Sequence, residues 1–393
     1  VNAASASGTH GFATIAALAA ISALGSMAIH MLVPALPALA HDLRLRPEQA
    51  QLAISVYLAG LGGGQLLAGP LTDRLGRRPV LLAGIALYLT GALASALAPT
   101  LPVLLAARLV QAIGGAAGVV TSRVMVSDLF GREESARRQA TLMMIVLVSP
   151  ALAPVIGGLL ATLGGWRLVP AVLTAVATAA LLIAFVRLPE TRAASGGASG
   201  GRLAPGIARL LRNPRFVLAT LTLAGGSSAL YMFLASAPFL LVRSFGLSES
   251  QAGTCFLVVA AASIAGTRLV GPLARRADAL RAGTALIFVG SLIELALAAA
   301  GITGPLPLIT PMLLLGFGAG IVGPAAITVV LFAEEGLAGT ASSLAGAVQM
   351  LASGLATVAL GRFAPVDMLR LGLALTLSAG LAFVAAQLQP RHT

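Results

Sequence analysis

Gly69-Pro70-Leu71-Thr72-Asp73-Arg74-Leu75-Gly76-Arg77-Arg78-Pro79 stands between two strongly apolar runs, residues 50 to 68 and 80 to 98. At about 1.5 Å per residue each run is long enough to cross the hydrocarbon core of a bilayer. Pro70 and Gly76 are expected to break the flanking helices, Asp73 to face cationic side chains or a free helix N-terminus, and the arginines to resist translocation. A polar turn with one acid and three arginines between two such helices reads as a cytoplasmic membrane loop. An ordinary stop between two spans would explain the charges but not their density.

Composition supports the same class. Hydrophobic residues make up 58% of 393, charged residues 10%, and the mean hydropathy is +0.96. So little charge cannot clothe a soluble protein of this length, so most of the chain must face lipid or other membrane helices. The net charge of +12 comes from arginines lying mostly between apolar runs, with no lysine at all. That distribution argues against a nucleic-acid stripe. A single cysteine, Cys255, leaves no intramolecular disulfide and no cysteine-based metal cluster. Residues 1 to 11 lack the pattern of a secretory signal and are expected as a cytoplasmic tail.

Apolar runs fall at 12 to 33, 50 to 70, 80 to 98, 101 to 124, 138 to 162, 166 to 186, 215 to 241, 250 to 270, 282 to 300, 305 to 329, 339 to 360 and 366 to 387. Twelve transmembrane helices put both termini on one side. With the termini inside, the inner segments carry sixteen arginines and the outer loops six, the other three lying in or at the ends of spans. This bias favours cytoplasmic termini. The polar stretch 187 to 214 divides the chain into six-helix halves, 12 to 186 and 215 to 387, with 388 to 393 as a tail. Its glycine-rich front reads as a flexible linker, and residues 207 to 211 as a short helix on an anionic leaflet. Gly69-Pro70-Leu71 recurs as Gly271-Pro272-Leu273, and Leu101-Pro102 with Gly115 and Gly118 as Leu306-Pro307 with Gly320 and Gly323. The nearly equal offsets suggest a parallel duplication.

The 69 to 79 turn resembles the G-x-x-x-D-R-x-G-R-R motif of the major facilitator superfamily. The resemblance implies an all-α membrane protein with two six-helix halves in a parallel pseudo-twofold repeat. Ser149-Pro150-Ala151-Leu152-Ala153-Pro154-Val155-Ile156-Gly157-Gly158 is similar to the fifth-helix signature of facilitator antiporters, with Ser149 and Ala153 replacing two glycines. Pro150, Pro154, Gly157 and Gly158 are then expected to form a bent, leak-free pivot. Leu32-Val33-Pro34-Ala35-Leu36-Pro37, Arg108-Leu109-Val110-Gln111-Ala112-Ile113-Gly114, Gly165-Trp166-Arg167 and Ser236-Ala237-Pro238-Phe239 together resemble the Bcr/CflA branch of the drug:proton antiporters. That branch exports bicyclomycin, chloramphenicol-type compounds and other amphipathic drugs across the bacterial cytoplasmic membrane. The resemblance thus implies a small amphipathic substrate, a proton as coupling ion, no other cofactor, and a functional monomer surrounded by membrane lipids.

One departure matters. Where the branch has a first-span carboxylate four residues before its first proline, this chain has His30. A histidine, with a reference pKa near 6.5, can still exchange a proton near neutrality. His30 is therefore the leading coupling candidate, with Glu294 and Asp128 as alternatives. Asp128 is expected to pair with Arg123 or Arg132. Because His30 loses charge where a carboxylate would gain it, neutral or anionic cargo is favoured over cationic.

The expected cavity, lined mainly by the first, fourth, seventh and tenth spans, includes Met27, His30, Met31, Tyr57, Arg108, Gln111, Arg123, Tyr231, Phe233 and Phe239. Arg108 starts a face with Gln111 and needs a partner elsewhere or a watery cavity. The cytoplasmic gate is read as Gly69, Asp73, Arg74, Gly76, Arg77 and Arg78, with Asp73 holding the second span against the other half. Asp42, Glu48, Glu249, Glu334 and Glu335 read as solvated loop charge. An alternative from the same fold is a facilitator or symporter importing a small metabolite. An intramembrane enzyme is disfavoured, since the chain has neither an H-E-x-x-H pair nor a G-x-S-x-G elbow and its four histidines are scattered.

Overall fold

The structure is a computed structural model that describes residues 9–129, 152–191, 203–268, 276–335, 337–363 and 365–390. Every regular element among them is helical, as expected where lipid offers no partner to an unsatisfied backbone group. The first half contains α1 (Thr9–His30), the short α2 (Leu36–Asp42), α3 (Pro47–Leu75), α4 (Arg77–Ala96), α5 (Leu101–Leu129), α6 (Leu152–Gly164) and α7 (Leu168–Arg187). After α8 (Leu203–Arg212) the second half follows, with α9 (Pro214–Phe239), α10 (Glu249–Thr267), α11 (Arg276–Ala299), α12 (Pro305–Leu331), α13 (Ala338–Gly361) and α14 (Met368–Gln387). Eleven helices among the described residues are long and apolar enough to cross a membrane. The shorter α6 stands where the fifth span is expected. The rest of that run, with Ser149 and Pro150, lies outside the described residues, as do Arg132, Gly271-Pro272-Leu273 and the glycine-rich front of the linker.

The polar turn is tighter than its sequence suggests. α3 continues through Pro70 to Leu75, so Pro70 does not end the helix. A membrane helix tolerates the lost N–H of a proline when its neighbours hold the backbone. The break falls at Gly76 alone, whose φ of 99° suits glycine, and α4 starts at the next residue. Elsewhere proline opens helices at Pro47, Pro214 and Pro305, and side chains of Asn213 and Ser248 cap the next turn.

Within each half the packing repeats. α5 lies against α1, α3 and α4, and α12 correspondingly lies against α9, α10 and α11. The closest pairs use the same device. A Cβ on Gly91 of α4 would stand 2.7 Å from the Ala107 carbonyl of α5, and one on Gly290 of α11 would stand 2.7 Å from the Pro311 carbonyl of α12. Gly84 and Gly283, seven residues before each, make the second contact of each pair, against Ala117 and Gly114 in one half and Gly318 in the other. This glycine repeat corroborates the duplication, although the sequence reading rested on other matches.

The halves meet along α3 and α13, where Gly62 faces the Ala347 carbonyl and Gly354 faces the Ser55 carbonyl, each at 3.0 Å from a Cβ position. They meet again between α6 and α10. Both sets of contacts run from the middle of the bundle to the end opposite Gly76. At that end Asp42, exposed to solvent as expected, also accepts from Trp166 Nε1 at 3.0 Å and pairs with Arg167, whose guanidinium reaches the Ala98 carbonyl at 3.1 Å.

Because the α4–α5 and α11–α12 contacts leave no room for a side chain, Gly91→Val and Gly290→Val should each cost about 1–3 kcal/mol of stability. Gly63→Val, which meets nothing within 4 Å, should cost little. Thermal unfolding of the purified protein checks this; equal melting for all three variants would contradict the packing account.

Candidate functional site

The deepest cation is Arg108 of α5, 2% exposed. A buried guanidinium needs all its donors satisfied, and here the partners are neutral. Nη1 donates to Gln111 Oε1 at 2.7 Å, Nη2 to the Ala28 carbonyl at 3.0 Å and Nε to the Ala53 carbonyl at 3.4 Å, while the group lies 4.1 Å over the Tyr57 ring. The Ala28 carbonyl can accept because α1 tightens at its end. Leu32 N–H bonds to the Ile29 carbonyl instead. Tyr57 and Tyr88 hydroxyls donate to the Gly25 and Leu24 carbonyls, each at 3.0 Å, adding two more ties from α3 and α4 to the same stretch of α1. The adjoining void measures about 10 Å³, no more than a single water. Arg108, Gln111 and Tyr57 are thus buried and held to one another within the first half. The expected partner of Arg108 is a set of carbonyl dipoles, an amide and a π-face.

His30 closes α1 two residues beyond Ala28. Its Nδ1 is 2.8 Å from the Ser26 carbonyl, so Nδ1–H donates and Nε2 is the acceptor in the neutral ring. The buried ring lies 6.2 Å from that of Tyr231 on α9, tilted by 44°. The fold thus brings two expected cavity residues together across the halves. Met27 is partly buried on the same helix, whereas Met31 is fully buried, its carbonyl pressed by Gly157. Phe233 packs edge-on against Phe256 of α10 at 5.7 Å, inside the second half. Phe239 lies under Arg243 at 5.5 Å, near the far end of α9. These aromatics pack helices, because the rigid seams of the half claim the largest rings.

Sequence reasoning did not assemble three further polar pairs, one across the halves and two between α9 and α13 of the second half. Gln51 Nε2 donates to Ser236 Oγ at 3.4 Å across the halves, Gln349 Nε2 to Ser227 Oγ at 2.6 Å, and Ser228 and Ser353 hydroxyls stand 3.5 Å apart. The signal was present as isolated amides and hydroxyls in apolar helices, which are costly unless paired. Their pairing depends on which faces of α3, α9 and α13 meet.

The remaining candidates separate. Arg123 lies fifteen residues beyond Arg108, roughly 22 Å along α5, so the two do not share a site. Glu294 is fully buried between α11 and α14 against Gly372, and neither oxygen has a hydrogen-bond partner among the described residues. It stands away from the His30 pair, on a helix packed against the back of its own half. Asp128 pairs with Arg77 at 2.9 Å and accepts from Thr191 at 3.1 Å; its other expected partner, Arg132, lies outside the described residues.

Arg77 is the hub of the basic end. It also donates to the Thr72 carbonyl at 3.0 Å and approaches Asp73 at 3.4 Å. Asp73 is 69% exposed, and its contact is with Arg77 of its own hairpin. The carboxylate capping α4 is Glu190, which accepts from the Arg77 and Arg78 backbone N–H groups at 2.9 and 3.1 Å. Arg78 donates to the Phe185 carbonyl at 2.7 Å and lies over the Phe185 ring. A Cβ on Gly69 would meet nothing within 4 Å, so that glycine does not mark a close helix approach.

α6 touches both halves through small residues. Gly157 abuts the Met31 carbonyl just after α1, a Cβ on Gly158 would stand 2.5 Å from the Glu249 carbonyl of α10, and one on Gly253 would stand 2.6 Å from that of Pro154. Pro150 lies outside the described residues. Among those residues no three His, Cys, Asp or Glu side chains stand together as a metal site.

The model of the Major Facilitator Superfamily matches residues 17–357. Multidrug resistance protein D of Escherichia coli K12 is 32% identical over 332 residues, covering 84% of either chain. A chloramphenicol resistance protein of Pseudomonas aeruginosa is 32% identical over 324 residues, covering 81% of this chain and 76% of its own. The xylose transporter XylE of E. coli, solved in a partially occluded inward-open conformation, superposes with a TM-score of 0.76 at 15% identity, over 98% of this chain and 99% of its own. A bacterial homologue of the lysosomal transporter Spinster, solved inward-facing, gives a TM-score of 0.76 at 18% identity over 97% and 98%.

The hub geometry ranks two substitutions. Asp128→Asn, which removes a partly buried charge-assisted bond, should lower stability by about 1–2 kcal/mol, and Asp73→Asn, on an exposed pair, by under about 0.5 kcal/mol. Thermal unfolding in nanodiscs measures both, and the reverse order would restore Asp73 as the principal anchor.

Proposed function

The chain belongs to the major facilitator superfamily and moves small molecules by alternating access, and from that premise we propose that it exports neutral or anionic amphipathic compounds in exchange for protons. The observation that carries this reading is the His30–Tyr231 pair, a titratable ring at the seam between the halves. His30 takes up a proton on Nε2 when the seam opens to an acidic exterior and releases it inward, while its Nδ1–H stays on the Ser26 carbonyl. Arg108 acts through α1, holding the Ala28 carbonyl and so the position of His30. The contacts at the end opposite Gly76 form the outer closure, and the arginine-rich end faces the cytoplasm, with both termini there in a bacterial inner membrane. The drug-resistance names of the two curated relatives fit cargo of chloramphenicol type, and with it the Bcr/CflA branch. The functional unit is a monomer of two halves, 12 to 186 and 215 to 387.

A second reading, a facilitator or proton symporter importing a small metabolite, has its own observation. The Gln51–Ser236, Gln349–Ser227 and Ser228–Ser353 pairs would suit a hydroxyl-bearing cargo, since amides and hydroxyls can exchange their mutual bonds for bonds to substrate. The cargo that competes for binding separates the two readings.

In proteoliposomes with an imposed proton gradient, radiolabelled chloramphenicol should move against the proton flow, and pentoses should not compete. Uptake along the proton gradient, or competition by sugars alone, would transfer the assignment to metabolite import. His30→Ala should reduce drug-dependent proton movement at least tenfold, while Glu294→Gln retains it. The opposite pattern would move coupling to Glu294.

A further inference from the structure

Away from the seam, one recess combines volume with charge. At the basic end α8, the first turn of α9, the turn after α12 and the segment after α14 enclose a cleft of about 510 Å³. Its walls present Arg209, Arg212 and Arg215 against a single carboxylate, Glu334. That carboxylate is committed: Oε1 accepts from Asn213 Nδ2 at 2.9 Å and Oε2 from Arg209 Nη2 at 2.8 Å. The Asn213 bond, then the Arg209 bond, holds the Glu334 carboxyl below the usual carboxylate range, so it stays ionised and cancels one of the three cations. The Arg212 and Arg215 guanidinium groups are exposed and have no bonding partner among the described residues.

The floor of the cleft is held in place. Asn213 caps α9 by accepting from Arg215 N–H at 3.0 Å, and its Nδ2 also donates to the Ala333 carbonyl at 2.8 Å. α8 is docked by Leu210, fully buried in a cluster with Phe216 and Val330. The next residue, Leu211, is 56% exposed beside the Arg212 charge. An exposed apolar side chain next to two free cations, at the level where α9 enters the apolar layer, matches a phospholipid at the polar boundary of a bilayer.

We propose that this cleft binds the phosphate of an anionic phospholipid headgroup, with Arg212 and Arg215 as its ligands and Leu211 against the acyl chain. Guanidinium forks suit phosphate oxygens, and the neighbouring Glu334 disfavours a second anion and keeps the site to a single phosphate. Binding there ties α8, and the linker it ends, to the second half. A soluble phosphate shares the chemistry but makes no use of Leu211.

The test uses the whole protein, solubilised gently from membranes and presented with phosphatidylglycerol, phosphatidylcholine or inorganic phosphate in native mass spectrometry. Retention of phosphatidylglycerol over phosphatidylcholine is expected, with a loss of roughly tenfold or more in Arg212→Gln/Arg215→Gln. Arg243→Gln, at the far end of α9, should bind as wild type and serves as the control for nonspecific charge. Leu211→Ser should weaken lipid retention alone. Equal retention by the double variant overturns the site. Phosphate adducts without lipid retention, lost in the same double variant, overturn the lipid assignment and give the cleft to a soluble anion. Circular dichroism of each variant excludes unfolding as the cause.

Discussion

Helices surrounded by lipid gain little from burying apolar side chains against one another, so this bundle depends on how closely its backbones can approach. Glycine supplies that approach. Gly84 and Gly91 set α4 on α5, Gly283 and Gly290 set α11 on α12, Gly62 and Gly354 join α3 to α13, and Gly157 and Gly158 bring α6 against Met31 and α10. The first two sets make each half rigid. The Gly62, Gly354 and Gly158 contacts lie between the halves, where small residues let the helices touch without interlocking large side chains.

Charge is handled differently at each depth. At the basic end Arg77 is satisfied by Asp128 and by backbone carbonyl, within reach of water. In the interior Arg108 has no carboxylate among its contacts and is held by two carbonyls, an amide and an aromatic face. The guanidinium keeps its charge without a counter-ion there, so the carbonyl dipoles, the amide and the π-face must together offset its desolvation. The same contacts gather α1, α3 and α5 around the last turns of α1. His30 therefore sits on a helix end whose position the first half already determines.

Glu294 presents the converse case, a buried carboxyl with no hydrogen-bond partner among the described residues. Its place between α11 and α14, against Gly372, belongs to the packing of the second half. Burial alone is thus a poor guide to coupling. What distinguishes His30 is position at the seam between the halves, a property of two surfaces and not of one residue.

Much was legible from residue order. Long apolar runs demand helices because no other open chain satisfies its backbone in hydrocarbon, and the arginine-rich turn, the linker and the weak repeat indicated two six-helix halves. The 69 to 79 motif and the small-residue stretch before Gly158 indicated the family. Residue order could not say that α3 runs on through Pro70, since a proline ends a helix only when nothing else holds the backbone. Nor could it choose partners. Arg77, Asp128 and the adjacent Glu190 and Thr191 come from three separate segments, and Gln51 meets Ser236 only because two helices far apart in sequence present those faces to each other. Period and composition determined which segments cross the membrane. Which side chains share a site was decided by helix rotation and by the glycine contacts that fix it, and those are long-range facts that only the assembled bundle contains.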